Sequence, residues 1–498
     1  MANSFWPVEP HENKKVIPMI AMSFLICFNY TLLRDLKDIL VLEAMNATAI
    51  SGLKLYCTLP MSVVVMLVYT KLSLKYTKAQ VFYQFMCMFL AFFAIFLFVL
   101  LPFQPYIEMG AAWGKEMEPV MGGFSTFTSL FANWTTAAMY VFSELWGTVV
   151  LSLLFWGFAN DICRTSEAKR FYTLFNLGAN FSLLFCGGFL MGMSFFLPKE
   201  KVKLKPGETP NNTMLYFIIA VVLVFTVLIM FIYRWMQKNV LTDARLCPPK
   251  EDGPKKKKVK LGFFESLKVL VMNPYILLIA IMVLMYGVSV NLVELYFKDT
   301  WAIVYSNQAD KTWFQGCFSM GTGISSLFLL TFIGGKSIRV LGWTKTALIT
   351  PVVLICSGLP FMMMYAVKKH MVDAISFPVL VAIGYVAVVG SKSCKYSFFD
   401  PTKEMAYIPL GEDRGRAKAA VDIVGARGGK SLGSVVVQIF NMAFSTADAK
   451  TYVETIASIL ITGVLTWTAG TIALGKKYNA KVKEQNAAVE LGGTVAKA

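Results

Sequence analysis

Residues 81–101, VFYQFMCMFLAFFAIFLFVLL, run for twenty-one positions without a single Asp, Glu, Lys or Arg. A helix rises about 1.5 Å per residue and the hydrocarbon of a bilayer is about 30 Å thick, so a run of this length crosses a membrane once. Similar runs lie on both sides of it. Spans are predicted at 16–40, 53–70, 81–101, 132–159, 171–197, 213–236, 273–297, 314–334, 343–366, 375–397, 417–444 and 453–475. The expected fold is therefore an all-α polytopic membrane protein with about twelve transmembrane helices.

Composition agrees with this reading and excludes several others. Of 498 residues, 56% are hydrophobic and only 15% charged, and mean hydropathy is +0.58, too little polar surface to wrap a soluble core. The net charge of +17 comes from basic residues between the apolar runs, not from a basic, aromatic-lined groove, so nucleic acid is not expected as a partner. Nine cysteines are dispersed, among them Cys27, Cys57, Cys87, Cys186, Cys317 and Cys356, with no C-x-x-C spacing. His11 and His370 are the only histidines and both lie outside the apolar runs. Neither a metal centre nor a cofactor is expected, and a membrane enzyme acting on phosphorylated lipid or nucleotide has little to work with.

Charge along the chain gives an orientation. Lys71, Lys75 and Lys78, then Arg164, Lys169 and Arg170, then Lys336, Arg339 and Lys345, then Lys403, Arg414 and Arg416 occupy alternate loops, which places both termini in the cytoplasm. Lys199, Lys201, Lys203 and Lys205 fall in an opposite loop and break the pattern. The expected organisation is an N-terminal six-helix bundle over 1–236, a basic linker over 237–272, a C-terminal six-helix bundle over 273–475 and a tail over 476–498. The run PKKKKVK in the linker reads as an orientation determinant beside a span. A faint repeat supports two halves: Asn29, Lys37 and Asp38 in the first span correspond to Asn291, Lys298 and Asp299 in the seventh, and Leu177-Gly178-Ala179 to Val424-Gly425-Ala426.

Charges inside the spans point to function, because a charge at the bilayer centre costs about 3 kcal/mol or more unless it meets water or a counterion. FNYTLLRDLKDILV places Arg34, Asp35, Lys37 and Asp38 near the end of the first span, with Arg34 and Lys37 on one face. Snorkelling to the interface is the structural alternative there. Glu144 in SELWG and Glu294 in NLVEL are isolated carboxylates in apolar surroundings, with Asn291 three residues before Glu294. Residues 392–434 carry Lys392, Lys395, Arg416, Lys418, Asp422, Arg427 and Lys430, with glycines that permit close approach. GARGGKS within it is one residue short of a phosphate-binding loop. Several fixed cations and fewer carboxylates suit a multiply charged anion, a phosphorylated solute before a sugar or an amino acid.

Here the chain resembles the ATP/ADP translocase family of plastids and intracellular bacteria. The matching blocks are FNYTLLRDLKD, SELWGTVVLSLLFWGFAND, EAKRFYTLFNLGAN, YRWMQKNVLTD, YGVSVNLVEL, KYSFFDPTKEMAYIPL and RAKAAVDIVGARGGKS, in order from position 28 to 431. The resemblance implies a major-facilitator-like fold, although YTKLSLKYTK lacks that superfamily's usual loop motif. It implies exchange of ATP for ADP, with or without phosphate, with proton-coupled import of nucleoside triphosphates as the alternative; cations left uncompensated in the empty carrier would make that exchange obligatory. It further implies functional roles for Lys37, Glu144 and Glu294 and for Arg416 or Lys418. Together with the chemistry above, the expected substrate-binding set is Arg34, Lys37, Glu144, Asn291, Glu294, Lys395, Arg416, Lys418, Asp422, Arg427 and Lys430. The acid-bearing N-terminus is unlike an organelle leader, so a bacterial inner membrane is expected.

Overall fold

A computed structural model describes residues 8–109, 113, 116–117, 120–163, 165–196, 213–243, 246, 268, 270–371, 375–421, 428–444 and 448–495. Its regular elements are helices, with no strand among the described residues. Among the described residues eleven helices are long and apolar enough to cross a membrane. We label them α1 (Asn13–Ala44), α2 (Ala47–Lys75), α3 (Lys78–Ile107), α4 (Trp134–Ile162), α5 (Arg170–Ser194), α6 (Met214–Asn239), α7 (Pro274–Val304), α8 (Gln308–Gly334), α9 (Lys336–His370), α10 (Phe377–Leu410) and α12 (Ala449–Glu484). The eleventh expected span contains a shorter helix, α11 (Gly428–Ala443), preceded by the helical piece Arg414–Val421. The described elements are thus all-α, dominated by helices of membrane-spanning length and apolarity.

The first two helices differ from expectation in a way that matters for the site. α1 continues to Ala44 and only two residues separate it from α2, whose first turn is capped by Asn46 accepting from the Ala49 amide at 2.9 Å. Arg34, Asp35, Lys37 and Asp38 therefore lie inside a helix that continues for about two more turns, not at its interfacial end. Snorkelling is thereby excluded for Asp35, Lys37 and Asp38, which are all buried.

Wide π-helical turns, with i→i+5 hydrogen bonds, interrupt α2 at Leu53–Thr58, α3 at Phe96–Leu100 and α4 at Gly147–Phe155. They recur in α8 at Leu329–Gly334, α9 at Leu354–Gly358 and α10 at Lys395–Phe399. The second, third and fourth helices of each half share the feature, which extends the faint sequence repeat into backbone geometry.

Two compact units make up the chain: one from Met1–Pro254 with Tyr305–Gly323, the other from Lys255–Val304 with Ile324–Ala498. In the first, α1 is central and packs chiefly against α5, α6 and α4. In the second, α7 holds the same place among α12, α11 and α10. The first part of α8 joins the first unit because glycines let backbones touch: a Cβ on Gly187 of α5 would meet the Gly316 carbonyl of α8 at 2.6 Å.

Candidate functional site

In the first unit the site is built where α1 meets α4. The two helices are pinned below it, since the Trp146 indole donates to the Ile26 carbonyl at 3.1 Å and a side chain at Gly147 would run into the Tyr30 ring. About two turns beyond Tyr30 on α1 and two residues before Trp146 on α4, Lys37 Nζ lies 3.0 Å from Glu144 Oε1, and it is 2.9 Å from Asp38 Oδ1. Its third side faces the Tyr140 ring, 4.0 Å from the centroid. With 3% of the side chain exposed, Lys37 could not remain charged without such partners. Glu144 keeps 25% exposure and Asp38 only 6%, so one partner is accessible and the other enclosed.

Arg34 has a carboxylate neighbour besides those of this cluster. It lies 3.0 Å from Asp35 and donates to Ser319 Oγ of α8 at 3.1 Å. Asp35, fully buried, also accepts from the Gln315 amide at 3.1 Å and from the Ser319 hydroxyl. Arg34 and Lys37 thus each have a carboxylate at hand, Asp35 and Asp38, and each also reaches a neighbouring helix, Arg34 to α8 and Lys37 to α4.

In the second unit, Glu294 Oε1 of α7 lies 2.6 Å from Lys392 Nζ of α10, with 17% and 18% exposure respectively. Asn291 turns instead to α11, where its amide reaches Ser434 Oγ at 3.5 Å. Lys395 is 2.7 Å from Asp400 and 4.6 Å from the centre of the Tyr396 ring. Lys418 is 2.8 Å from Glu404. Arg416 falls in the helix Arg414–Val421 and Lys430 in α11, with their side chains outside the described residues. Asp422 and Arg427 lie outside the described residues altogether, as do the PKKKKVK run and the 198–212 loop.

Lys392, Asp38 and Tyr140 are missing from the expected set. Lys392 satisfies the criterion that singles out Glu144, a charge in an apolar span, but its neighbours in the charged 392–434 stretch obscure it. Asp38 follows Lys37 directly, and Tyr140 precedes Glu144 by one helical turn, so spacing alone could have found both.

Lys37, Lys392, Lys395 and Lys418 each have a carboxylate within 3.0 Å, so each of these cations is compensated by the protein itself. The physical reason is desolvation: a cation buried among apolar helices needs its countercharge at hand. Such a pair can release its cation to a phosphate only by giving up the carboxylate. Among the described residues no group of three or more His, Cys, Asp and Glu is placed to hold a metal ion.

Comparison with known proteins agrees with this geometry. The family model described as TLC ATP/ADP transporter matches residues 1–478. A protein of Chlamydia muridarum named ADP,ATP carrier protein 1 is 41% identical, the match covering 97% of this chain and 92% of that protein. The protein of the same name in Rickettsia prowazekii is 36% identical, with 96% of each chain covered. The chloroplastic ADP,ATP carrier protein 1 of Arabidopsis thaliana is also 36% identical, over 97% of this chain and 77% of its own length. Among solved structures, a mutant of the nucleoside transporter NupG superposes with a TM-score of 0.50 at 14% identity, covering 93% of this chain and 99% of that one, a likeness of fold.

Proposed function

Since this chain belongs to the TLC ATP/ADP transporter family, we propose that it is a carrier exchanging ATP for ADP across a membrane by alternating access. The observation that carries this reading is the pair of charge clusters inside apolar helices, Lys37 with Glu144 and Lys392 with Glu294. Both join the first helix of a half to its fourth, the arrangement a carrier needs if substrate is held within each half. A phosphate charge about 4 Å from a lysine gains roughly 4 kcal/mol at an effective dielectric near 20, before desolvation. That is enough to compete with a carboxylate already in place, but not to dispense with a countercharge.

Obligatory exchange acquires a different basis from uncompensated cations. The carboxylates stand in for phosphate in the empty carrier, and the nucleotide takes their place on the lysines. Only a ligand that interacts differently with the two states shifts them, so the differential contact resides in this replacement. The working organisation is two six-helix bundles over 1–236 and 273–475, joined by the linker 237–272 and followed by the tail 476–498, in a bacterial inner membrane with both termini cytoplasmic. Of the remaining expected residues, Arg34, Asn291, Lys395, Arg416, Lys418, Asp422, Arg427 and Lys430 are proposed to support binding from the same helices. Phosphate accompanies ADP as a possible third substrate, and no chemistry on ATP is required.

The deciding experiment is uptake of labelled ATP into proteoliposomes containing ADP, AMP or no nucleotide, with and without a proton gradient. Exchange predicts fast entry against ADP, slow entry against AMP or nothing, and ATP recovered intact. Equal entry into loaded and empty vesicles, or dependence on the gradient alone, would instead establish proton-coupled import.

A further inference from the structure

Tyr140 is fully buried on α4, one turn before Glu144, and its ring lies under Lys37. The ring therefore has a role, but the hydroxyl has no acceptor for its own hydrogen, since the one side chain that bonds to it, Lys37, is itself a donor. The charged groups acting on Tyr140 are Lys37, Glu144 and Asp38. A buried O–H without an acceptor is destabilising, and Phe would support the ammonium equally well without that penalty. An unsatisfied donor beside an ion pair calls for an acceptor supplied from outside.

The surroundings indicate which acceptor. Asp38, Glu144 and the Tyr140 ring surround the Lys37 ammonium, so an incoming anion must replace one of them. Asp38 is enclosed and Glu144 is the more exposed, which makes Glu144 the partner able to leave. While Glu144 stays, the cluster holds one positive and two negative charges and repels an anion. Once it swings aside, Lys37 and Asp38 balance, and the neighbouring Tyr140 hydroxyl offers a donor that adds no charge. We propose that Tyr140 is a phosphate-binding residue of this carrier, its hydroxyl donating to the phosphate group that replaces Glu144 on Lys37. This rests on the reading of Lys37 and Glu144 as the nucleotide site.

The test uses the full chain in detergent and measures binding of ATP, ADP and inorganic triphosphate, each referred to the variant's own unliganded melting temperature. Tyr140→Phe should weaken all three by about tenfold, the worth of a hydrogen bond to a charged acceptor. Its unliganded melting temperature should be unchanged or higher, because an unsatisfied hydroxyl is gone. Tyr140→Leu, which also removes the ring, should bind no better than Tyr140→Phe. Wild-type binding by Tyr140→Phe, or a loss confined to nucleotides and absent for triphosphate, overturns the proposal. Lys37→Gln, run in parallel, separates the two layers: undiminished binding there overturns the site itself.

Discussion

The two halves solve one problem with opposite signs. In the first unit the cation, Lys37, comes from the first helix and the carboxylate, Glu144, from the fourth. In the second unit the first helix supplies the carboxylate, Glu294, and the fourth supplies the cation, Lys392. Position is kept while polarity is exchanged: Glu144 and Lys392 each stand three residues before a wide turn, at Gly147 and Lys395. Burial differs too. Lys37 is 3% exposed and has two carboxylates, whereas Lys392 is 18% exposed and has Glu294. The deeper charge is held between two countercharges, as desolvation demands, and both halves keep a place for an ion pair.

The largest effect should follow from breaking the deeper cluster. Lys37→Ala leaves Asp38 and Glu144 facing each other without their cation, and the melting temperature should fall by the equivalent of about 3–5 kcal/mol, with exchange abolished. Lys392→Ala leaves a single, shallower carboxylate and should abolish exchange with a distinctly smaller fall in melting temperature. Equal losses for the two would refute the ordering by depth. Next, reversing the second pair with Glu294→Lys and Lys392→Glu together gives both halves the same polarity. Stability should return to within about 1 kcal/mol of wild type while exchange does not. Recovery of both would mean that pairing alone matters and that neither residue meets the substrate.

Smaller still is the effect of Glu144→Gln, where Asp38 still compensates Lys37. Melting should change little and exchange should drop severalfold in proteoliposomes, and wild-type exchange would restrict Glu144 to structure. The smallest effect serves as a reference outside the spans. Burial pushes the Glu12 carboxyl up, but the Glu9 amide and the Arg170 guanidinium outweigh it and hold the group below its ordinary value of 4.5. A depressed carboxylate stabilises the fold above that value and ceases to do so as pH falls through its native one. Thermal stability should therefore decline below about pH 4.5 more steeply in wild type than in Glu12→Gln, with neutral-pH exchange alike in both.

Much of the architecture is legible in the sequence because bilayer thickness sets one length for every span. Glu144 and Glu294 stand out for a related reason: a lone carboxylate among apolar residues has no innocuous local explanation. The end of α1 is less legible. Four charges within 34–38 resemble a helix running into the interface, and only neighbours distant in sequence reveal that they are enclosed. Ser319 and Asp35 are 284 residues apart, and no local pattern announces such a contact. Lys392 is hidden by the opposite problem, an excess of nearby charge, and the Tyr140 hydroxyl by the fact that lacking an acceptor is a property of the folded surroundings alone.

The wide turns have a mechanical consequence. A π-helical stretch closes its hydrogen-bond rings over one more residue per turn, which makes it a softer joint than the helix on either side. Gly147–Phe155 therefore divides α4 into two short rods in series, Trp134–Trp146 with Tyr140 and Glu144, and Trp156–Ile162 beyond. In α10 the joint at Lys395–Phe399 sets Lys392 apart from Asp400–Ala406 in the same manner. Motion at one end of such a helix is not transmitted rigidly to the other, so a spectroscopic label near Phe158 reports the compliance of the frame, while a label near Glu144 reports the state of the ion pair.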